Sequence, residues 1–459
     1  KTALLHYHLR PGGVTTVVLR QARALLEAGD EVVVFSGEGP ASPGWADIPV
    51  TVIPELHYDA WRPAAGQDLA DALSRALGRD AGVVVVHNPL IRKNSALLGA
   101  LAELGGRGEK LLLQNHDLAE DFRPDVYSGG GYPENCHYAV INSRDYGFLL
   151  ESGLTEAGLH LIPNEVSPIS FDPGHERRRY LYPVRGIRRK NLGEALLLSL
   201  FIPPGRTVAI TQPPTTDKDS RVYRRWKDLA LELELPVEFE VGLREEFSRV
   251  LGSAFAVITC SIKEGFGFSF LEPWTAGLAV TGRRIDYVCR DFEKNGIRFD
   301  GFYDSLALPV CGATKDYPRR FREKLERAAR GLYAAFGMDP PEQAEGPQSG
   351  DGIPDFGAMD EELQEDFIRA AAGDSGLRNA AGELNPFLRT LPEWEPGPAL
   401  VAANRAAVLA AYSRERLVRI LRESCRKAQR PVTQSISPGV LLKRFLDPSR
   451  FFLVGIAND

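Results

Sequence analysis

The stretch TALLHYHLRPGGVTTVVLRQARALLEAGDEVVVFSG, residues 2–37, decides the fold class of the chain. It contains an apolar run at 2–9, a segment with helical periodicity at 13–29 and a second apolar run at 30–37. Both runs are almost continuously apolar, which is typical of strands that are buried on both faces. The order strand, helix, strand therefore predicts a parallel sheet covered by helices.

This alternation continues and then starts again in the second half of the chain. The first half has further apolar runs at 81–88, 110–117, 138–143 and 159–164, with helical patterns near 67–78 and 94–104. The second half has apolar runs at 180–184, 206–212, 236–242, 254–261 and 277–282, with helical patterns near 191–201, 218–234, 243–251 and 268–276. We therefore predict an α/β protein with two Rossmann-like domains that face each other across a ligand-binding cleft.

The composition narrows the class of protein. Hydrophobic residues make up 44% and charged residues 25% of the 459 positions, as in ordinary globular chains. The net charge of −6 argues against a nucleic-acid partner. No run approaches the roughly 18 apolar residues that span a bilayer, and the N-terminal stretch lacks the pattern of a signal peptide. The five scattered cysteines form no CxxC pair, so we expect a reduced, cytoplasmic protein without structural zinc.

The pattern divides the chain into four segments, predicted as domains at 1–165 and 166–310, an insertion at 311–397, and closing helices with an extension at 398–459. Within the insertion, residues 339–366 include ten acidic residues and no basic one. Such a segment offers too little apolar surface to offset its ordering entropy. We expect residues 339–366 to be a mobile loop that could act as a lid. We expect the region from about 311 to 395 to lie outside the two sheets, near the cleft or on the flank of the second domain.

The tail at 437–455 is apolar and contains LLKRFLDPSRFF at 441–452. We expect the tail to pack across the N-terminal domain. The alternative is peripheral contact with a membrane, because interfacial segments also mix basic and aromatic residues.

Two glycines, Gly12 and Gly13, follow the first predicted strand in HLRPGGVTT, residues 8–16. At this position a parallel sheet offers the amides at a helix N-terminus to a phosphate group. The alternative is a simple turn, since paired glycines often follow a strand.

A basic loop, VRGIRRKN at 184–191, follows the first strand of the second half. Arg185 and Lys190 could hold a diphosphate, the arginine by its planar fork and the lysine as a point charge. The alternative is a solvated basic loop.

His116 and Asp117 end the predicted strand KLLLQNHD, residues 110–117. A polar pair at the cleft end of a buried strand indicates a functional site, and the alternative is a histidine that is hydrogen-bonded within the core. Their spacing alone does not assign either of them a role.

The motif KEGFGFSFLEPW, residues 263–274, follows another strand and precedes a helix. Its glycines let main-chain amides approach a ligand. Glu264 and Glu272 flank these glycines, and a carboxylate beside a diphosphate repels it, so we predict that both accept hydrogen bonds from hydroxyl groups. The alternative, a capped surface helix, fits poorly with the apolar Phe270 and Leu271. Together the motifs suit a sugar linked to a nucleoside diphosphate.

The chain resembles the retaining GT-B glycosyltransferases that carry a Glu-x7-Glu motif. The residues 263–282 match that motif with Glu264 and Glu272 as its glutamates. Further likenesses follow in family order: RPGGVTTVV at 10–18, HDLAED at 116–121, LIPNEV at 161–166, VRGIRRKN at 184–191 and NRAAVLAAYSRERLVRIL at 404–421. The resemblance implies an acceptor-side N-terminal domain, a donor-nucleotide domain after it, and retaining transfer of a sugar to a hydroxyl acceptor without a metal or other cofactor.

The resemblance also implies roles for individual residues. Glu264 would contact the donor sugar, Glu272 the ribose hydroxyls, and His116 would sit beside the transferred sugar. Asp117, next to His116, is a further candidate catalytic residue. The resemblance implies that Arg185 and Lys190 hold the donor diphosphate, with help from main-chain amides near Gly13 and from Phe268, Ser269, Phe270 and Leu271. Gly12, Gly265, Phe266 and Gly267, which lie in the same two loops, are further candidate donor-binding residues.

The chain departs from the family pattern at four places. Gly186 follows Arg185 instead of preceding it, and Glu165 stands where a glycine is common. The long interval between Glu272 and YSRER at 412–416 and the tail after about residue 430 are also unusual, which leaves the acceptor side open.

Two other classes of function remain as alternatives. A sugar-nucleotide epimerase or hydrolase of the same fold would turn over the donor without an acceptor, and a non-catalytic GT-B module would have lost the motif residues. A nicotinamide oxidoreductase is disfavoured because RPGGVTTV, residues 10–17, lacks the G-x-G-x-x-G fingerprint.

Overall fold

The computed structural model describes residues 1–59, 66–78, 82–171, 174–342, 344–349, 353–395 and 397–456. The chain divides into two compact units. Unit 1 comprises Lys1–Val166 with Ala411–Leu446, and unit 2 comprises Ser167–Ala410 with Asp447–Asp459. Each unit is built on a parallel sheet with helices around it, so the predicted α/β class and the two Rossmann-like halves are confirmed.

The sheet of unit 1 has seven parallel strands among the described residues. They are β1 (Thr2–His6), β2 (Val32–Ser36), β3 (Val50–Val52), β4 (Val83–His87), β5 (Leu111–Asn115), β6 (His137–Val140) and β7 (Leu159–Leu161). Their order in the sheet is β3-β2-β1-β4-β5-β6-β7. The direction of the strand order reverses between β1 and β4, and ligands of such sheets bind at the carboxyl ends beside this reversal.

Helices cover both faces of this sheet, and they are α1 (Gly13–Glu27), α2 (Gly66–Leu77), α3 (Leu97–Gly106) and α4 (Ser143–Glu151). In α1, Val18, Ala22 and Leu25 recur at helical spacing and are buried against the sheet. The helix ends before Gly29, whose φ of 84° is a left-handed conformation that favours glycine. The local sequence thus fixes both the inward face and the end of α1.

The sheet of unit 2 repeats this arrangement with six strands among the described residues. They are β8 (Arg179–Arg185), β9 (Thr207–Gln212), β10 (Val237–Glu238), β11 (Ala254–Thr259), β12 (Val280–Arg283) and β13 (Phe302–Tyr303), in the order β10-β9-β8-β11-β12-β13. The helices between them are α5 (Leu192–Ser199), α6 (Asp217–Glu232), α7 (Val241–Arg244), α8 (Phe247–Gly252), α9 (Glu272–Thr275) and α10 (Asp286–Glu293). Here the reversal lies between β8 and β11.

The chain after this sheet stays with unit 2 and forms α11 (Tyr317–Ala335), α12 (Glu361–Gly373), α13 (Ser375–Leu384), α14 (Pro386–Thr390) and α15 (Pro398–Ala411). The prediction of a mobile loop over 339–366 is wrong for its second part. Phe356, Met359 and Leu363 are fully buried, and α12 begins inside the predicted loop. Residues 343 and 350–352 lie outside the described residues.

A buried ion pair explains why the acidic segment is ordered. The guanidinium of Arg283, at the end of β12, donates two hydrogen bonds to Asp355, with distances of 2.7 and 2.9 Å. It also donates to Glu194 of α5, where the bond from Nε to Oε1 measures 2.8 Å. All three side chains are at most 2% exposed. The charge of Asp355 is therefore compensated inside unit 2, which composition alone does not reveal.

The last helices are α16 (Arg414–Ala428), α17 (Pro438–Phe445) and α18 (Leu453–Ile456). The segment predicted as a single extension at 398–459 is divided between the two units, because its parts bury apolar side chains in different cores. Leu441 and Phe445 of α17 pack in unit 1, as predicted for the tail, whereas Phe451 is buried in unit 2. Because these aromatic side chains are buried, they are not exposed for contact with a lipid surface. Among the described residues, no helix is long and apolar enough to cross a membrane.

We expect Asp355→Ala to lower the free energy of unfolding of unit 2 by about 3–5 kcal/mol, because it leaves the buried Arg283 guanidinium without one of its carboxylates. Denaturant unfolding of the full chain measures this loss. The exposed Asp339 gives a matched control, and Asp339→Ala is expected to change stability by less than about 0.5 kcal/mol. Equal stability of the two variants would contradict the assignment.

Candidate functional site

The predicted site residues of unit 2 lie at the carboxyl ends of β8 and β11, which are neighbours at the reversal of strand order. Arg185 is the last residue of β8, and a 3₁₀ turn at Arg188–Lys190 follows it. Glu264 follows β11. The fold thus brings the basic loop and the first glutamate of the glycine motif to the same edge of one sheet.

Glu264 forms a direct ion pair with this basic loop. Its carboxylate accepts hydrogen bonds from the ammonium of Lys190 and, at 3.0 Å, from the guanidinium of Arg189. The side chains of Glu264 and Lys190 are 9% and 11% exposed, so most of this pair is shielded from water. A main-chain hydrogen bond of 3.1 Å from Ile262 to Arg189 joins the two loops as well.

Burial and charge act in opposite directions on Glu264. Burial alone would raise the pKa of its carboxyl group, but the charges of Lys190 and Arg189 outweigh this effect and lower the pKa from 4.5 to about 2. Burial also lowers the pKa of Lys190, against the opposing effect of Glu264. Glu264 is therefore fully ionised at neutral pH, which suits an acceptor of hydroxyl hydrogen bonds.

The other cations of the loop have different surroundings. Arg185 is exposed at the end of its strand. Arg188 is turned towards α12, where it donates two hydrogen bonds of 2.7 and 2.8 Å to Glu361. Both side chains of that pair are about one-tenth exposed. Arg188 is thus held in a structural contact, while Arg185 and Lys190 lie at the carboxyl edge where a diphosphate clamp was predicted.

Two special positions shape this loop. Asn191 has a left-handed φ of 49°, and its side-chain amide donates to Glu194 at 3.0 Å and accepts from Gln364 at 2.9 Å. Gly186 lies so close to the ring of Tyr223 that a Cβ would approach it to 2.4 Å. A residue with a side chain at position 186 would therefore collide with this ring.

The glycine motif also forms a helix start, as predicted. Gly267 has a φ of 95°, and a 3₁₀ turn at Phe268–Phe270 follows before α9 begins at Glu272. Phe270, Leu271 and Trp274 are completely buried, which confirms that this helix belongs to the core. Gly265 and Ser269 are half-buried and Phe266 is buried. Whether these residues bind a donor stays a prediction.

In unit 1, His116 lies directly after β5 and belongs to a cluster of buried histidines. Its Nε2 is 3.0 Å from Nδ1 of His87, and the two rings are stacked. The ring of His6, at the end of β1, packs edge-on against that of His87. Burial is the main reason that the pKa falls to about 4 for His116 and about 3 for His6. The imidazoles of both residues are therefore neutral near pH 7.

Asp117 has a different environment from that of its neighbour. Its side chain is 47% exposed and lies 3.8 Å from Arg123. The main-chain amides of His116 and Asp117 both donate to the side chain of Asn88, at 2.5 and 3.2 Å. Asn88 thus fixes the backbone after β5 and holds the histidine at the carboxyl edge of the sheet.

Gly12 and Gly13 lie at the start of α1, near the same edge. Gly13 is exposed, and a Cβ there would meet nothing within 4 Å. No acidic residue stands in the first turn of the helix. The amides at this end of α1 are thus placed where an anion could approach them.

Sequence reasoning missed four residues that the structure adds to these two sites: His6, His87, Arg189 and Glu361. His6 and His87 are the last residues of β1 and β4, so their position at the carboxyl ends of predicted strands could have identified them as site residues. The described part of the chain contains no group of histidine, cysteine and carboxylate side chains arranged to hold a metal ion.

Comparisons with known proteins show which family and fold the chain is similar to. Residues 12–136 match the model of the glycosyl transferase 4-like domain. Mannosylglucosyl-3-phosphoglycerate synthase of Petrotoga mobilis is 24% identical over 371 residues, which cover 71% of this chain and 72% of that protein.

Solved structures share the fold over almost the whole chain. Sucrose-phosphate synthase of Thermosynechococcus elongatus superposes with a TM-score of 0.55 at 16% identity, covering 92% of this chain and 97% of that one. HepE of Anabaena, in complex with UDP, gives a TM-score of 0.57 at 13% identity, covering 92% and 98%. At these identities the likeness establishes the architecture.

We expect unit 1 to lose stability as the pH falls from about 6.5 to about 3. The pKa values of His6 and His116 in the folded chain lie below the ordinary 6.5, so the unfolded chain binds more protons in this window and the free energy of unfolding rises with pH. Replacing His116→Gln should flatten this dependence, measured by urea unfolding at several pH values.

The same replacement at His175 in unit 2 serves as the control for this experiment. An unchanged slope in the His116 variant would show that this histidine does not titrate as described.

Proposed function

We propose that this chain, which is a GT-B glycosyltransferase of the group 1 family, transfers a sugar with retention from a nucleoside diphosphate sugar to a hydroxyl acceptor. The observation that carries this proposal is the ion pair of Glu264 with Lys190 and Arg189 at the carboxyl edge of unit 2. It places an ionised carboxylate beside cations where open sheets bind nucleotides. HepE was crystallised with UDP and with UDP-glucose, which supports a donor of this class.

The leaving group of the proposed reaction is a nucleoside diphosphate, so its departure requires stabilisation of negative charge. Arg185 is exposed at the end of β8 and can reach an anion there. Lys190 donates to Glu264, and an ammonium group has three donors, so it can contact a phosphate at the same time. With the amides after Gly267, these cations supply the charge stabilisation without a metal.

Glu264 has a positioning role in this proposal. Its carboxylate is already paired with two cations, and it stays ionised down to a pH far below neutral. A carboxylate held in this way accepts hydroxyl hydrogen bonds from the donor sugar, and its strong pairing disfavours a role as covalent nucleophile. The acceptor would attack on the face that the diphosphate leaves, and the departing phosphate oxygen would take the proton of the acceptor.

His116 would lie beside the transferred sugar as a neutral hydrogen-bonding group, since its pKa of about 4 leaves it uncharged at neutral pH. The relative from Petrotoga mobilis is named as a synthase, which supports transfer to an acceptor over the alternatives of epimerisation or donor hydrolysis.

We expect Arg185→Ala and Lys190→Ala each to weaken donor binding by about 1.5–3 kcal/mol, or about ten- to 100-fold in Kd, because each removes a charge-assisted contact to the diphosphate. A thermal-shift panel of UDP, GDP and ADP sugars identifies the donor, since a ligand at 100 times its Kd adds about 2.7 kcal/mol to stability. Calorimetric titration of that donor then compares the variants.

Arg178→Ala is the matched control, because Arg178 is an exposed arginine that directly precedes the opposite end of β8. Donor affinity that is unchanged in both clamp variants would refute the clamp. For retention, NMR should show the same anomeric configuration in donor and product, and EDTA should leave the rate unchanged. Detection of a glycosyl adduct on Glu264 by mass spectrometry would overturn the front-face route.

A further inference from the structure

A cluster of cationic and aromatic side chains on unit 1 includes Arg123, the neighbour of Asp117. It consists of Tyr58, Lys93 and Arg123, which stand in loops after β3, β4 and β5. The ammonium of Lys93 lies 5.8 Å from the centre of the Tyr58 ring. The hydroxyl of Tyr58 is 3.1 Å from Nε2 of His8, which follows β1. Four loops at the carboxyl edge of the sheet thus contribute to one cluster, which we call the Lys93 cluster.

The two cations of the Lys93 cluster are poorly compensated. Lys93 is half-buried, and no carboxylate of the described residues lies within ion-pair distance of its ammonium. Among the described residues, the ion-pair partner of Arg123 is Asp117, at 3.8 Å, and both of these side chains are more than one-third exposed. Burial is the larger cause that lowers the pKa of Lys93, and the nearby charge of Arg123 lowers it further. The two cations therefore repel each other without a shared counter-charge.

The acidic groups around the Lys93 cluster do not remove this imbalance. Asp125 is exposed and only partly offsets the effect of Arg123 on Lys93. Asp59 accepts a hydrogen bond of 2.8 Å from the amide of Ser95 and so holds the loop.

Two other cations at the same edge of unit 1, Arg144 and Arg10, have close carboxylate partners. Arg144 is 12% exposed and contacts Asp121 at 2.9 Å and Asp145 at 2.8 Å. Arg10 forms two hydrogen bonds with Glu38, of 2.8 and 2.9 Å. The lack of such a partner distinguishes Lys93 from these arginines, and an anionic ligand would offset both the desolvation of its ammonium and the repulsion from Arg123.

We propose that Lys93, Arg123 and Tyr58 form a subsite for an anionic group, a phosphate or a carboxylate, on the acceptor. Lysine provides a point charge, arginine a planar fork and tyrosine a hydroxyl donor, which together suit a tetrahedral or planar oxyanion. The proposal rests on the proposed function and on the expectation, from the family resemblance, that the N-terminal domain is the acceptor side.

The test is calorimetric titration of the full chain with four small probes: 3-phosphoglycerate, glycerol 3-phosphate, glycerate and glycerol. The first carries both anionic groups, the next two carry one each, and glycerol carries none, so the series separates phosphate from carboxylate recognition. We expect anionic probes to bind and glycerol not to bind. Lys93→Gln and, independently, Arg123→Gln should each raise the Kd by about tenfold or more.

Lys110→Gln is the matched control, because Lys110 is also a half-buried lysine of unit 1 but precedes β5 at the opposite edge of the sheet. It should leave the Kd of the probes unchanged. With two independent subsite variants, the test remains valid if one of them misfolds. Denaturant unfolding verifies that each variant folds.

Three results would overturn the subsite: no binding of any anionic probe to the wild type, equal affinity in the wild type and both variants, or loss of probe binding in Lys190→Ala alone, which would place the anion in the donor site. Donor titrations on the same samples separate the two proposals. Donor binding without anion binding would remove only the subsite, whereas anion binding at Lys93 without any nucleotide-sugar binding would remove the proposed function.

Discussion

The buried guanidinium of Arg283 is the constraint on which unit 2 depends. It joins the end of β12 to Glu194 of α5 and to Asp355 of the acidic segment, with all three side chains almost completely buried. A buried charge of this kind is tolerated only when its partners are in place. Glu194 also accepts a hydrogen bond from Asn191, so the same network extends to the residue that follows Lys190. The core of unit 2 and its basic loop are thus joined by one network of charged and polar side chains.

The acidic segment adds two further contacts to this network. Gln364 donates to Asn191 at 2.9 Å, and Glu361 holds Arg188. Gly193 leaves room for this contact, since a Cβ there would approach Gln364 to 2.1 Å. With Arg188 held against α12, Lys190 is left to pair with Glu264. A segment that resembles a surface insertion in composition therefore acts as a support for the loop.

Much of this architecture could be predicted from the sequence, because near-continuous apolar runs specify buried parallel strands and the ends of such strands locate a site. The partners of the cations in the basic loop could not be predicted. Arg188 and Lys190 carry the same charge in the same loop, but Arg188 pairs with the distant Glu361 and Lys190 with Glu264. The acidic segment was misjudged because its composition does not show that Asp355 has a buried partner. Glu165, which departs from the family pattern, likewise pairs with the distant Arg414 at 3.2 Å.

The chain passes between the two units three times, after Val166, after Ala410 and after Leu446. Unit 1 buries Leu417 and Leu421 of α16 against its own sheet. Its core therefore cannot be completed until α16, which is synthesised much later, has left the ribosome. Most of unit 2 lies in the sequence between the first part of unit 1 and α16, so it is synthesised before α16. An N-terminal half of the chain that has emerged alone would expose the apolar surface that α16 covers. The order of synthesis thus leaves unit 1 exposed to misassembly for the time needed to make almost the whole of unit 2.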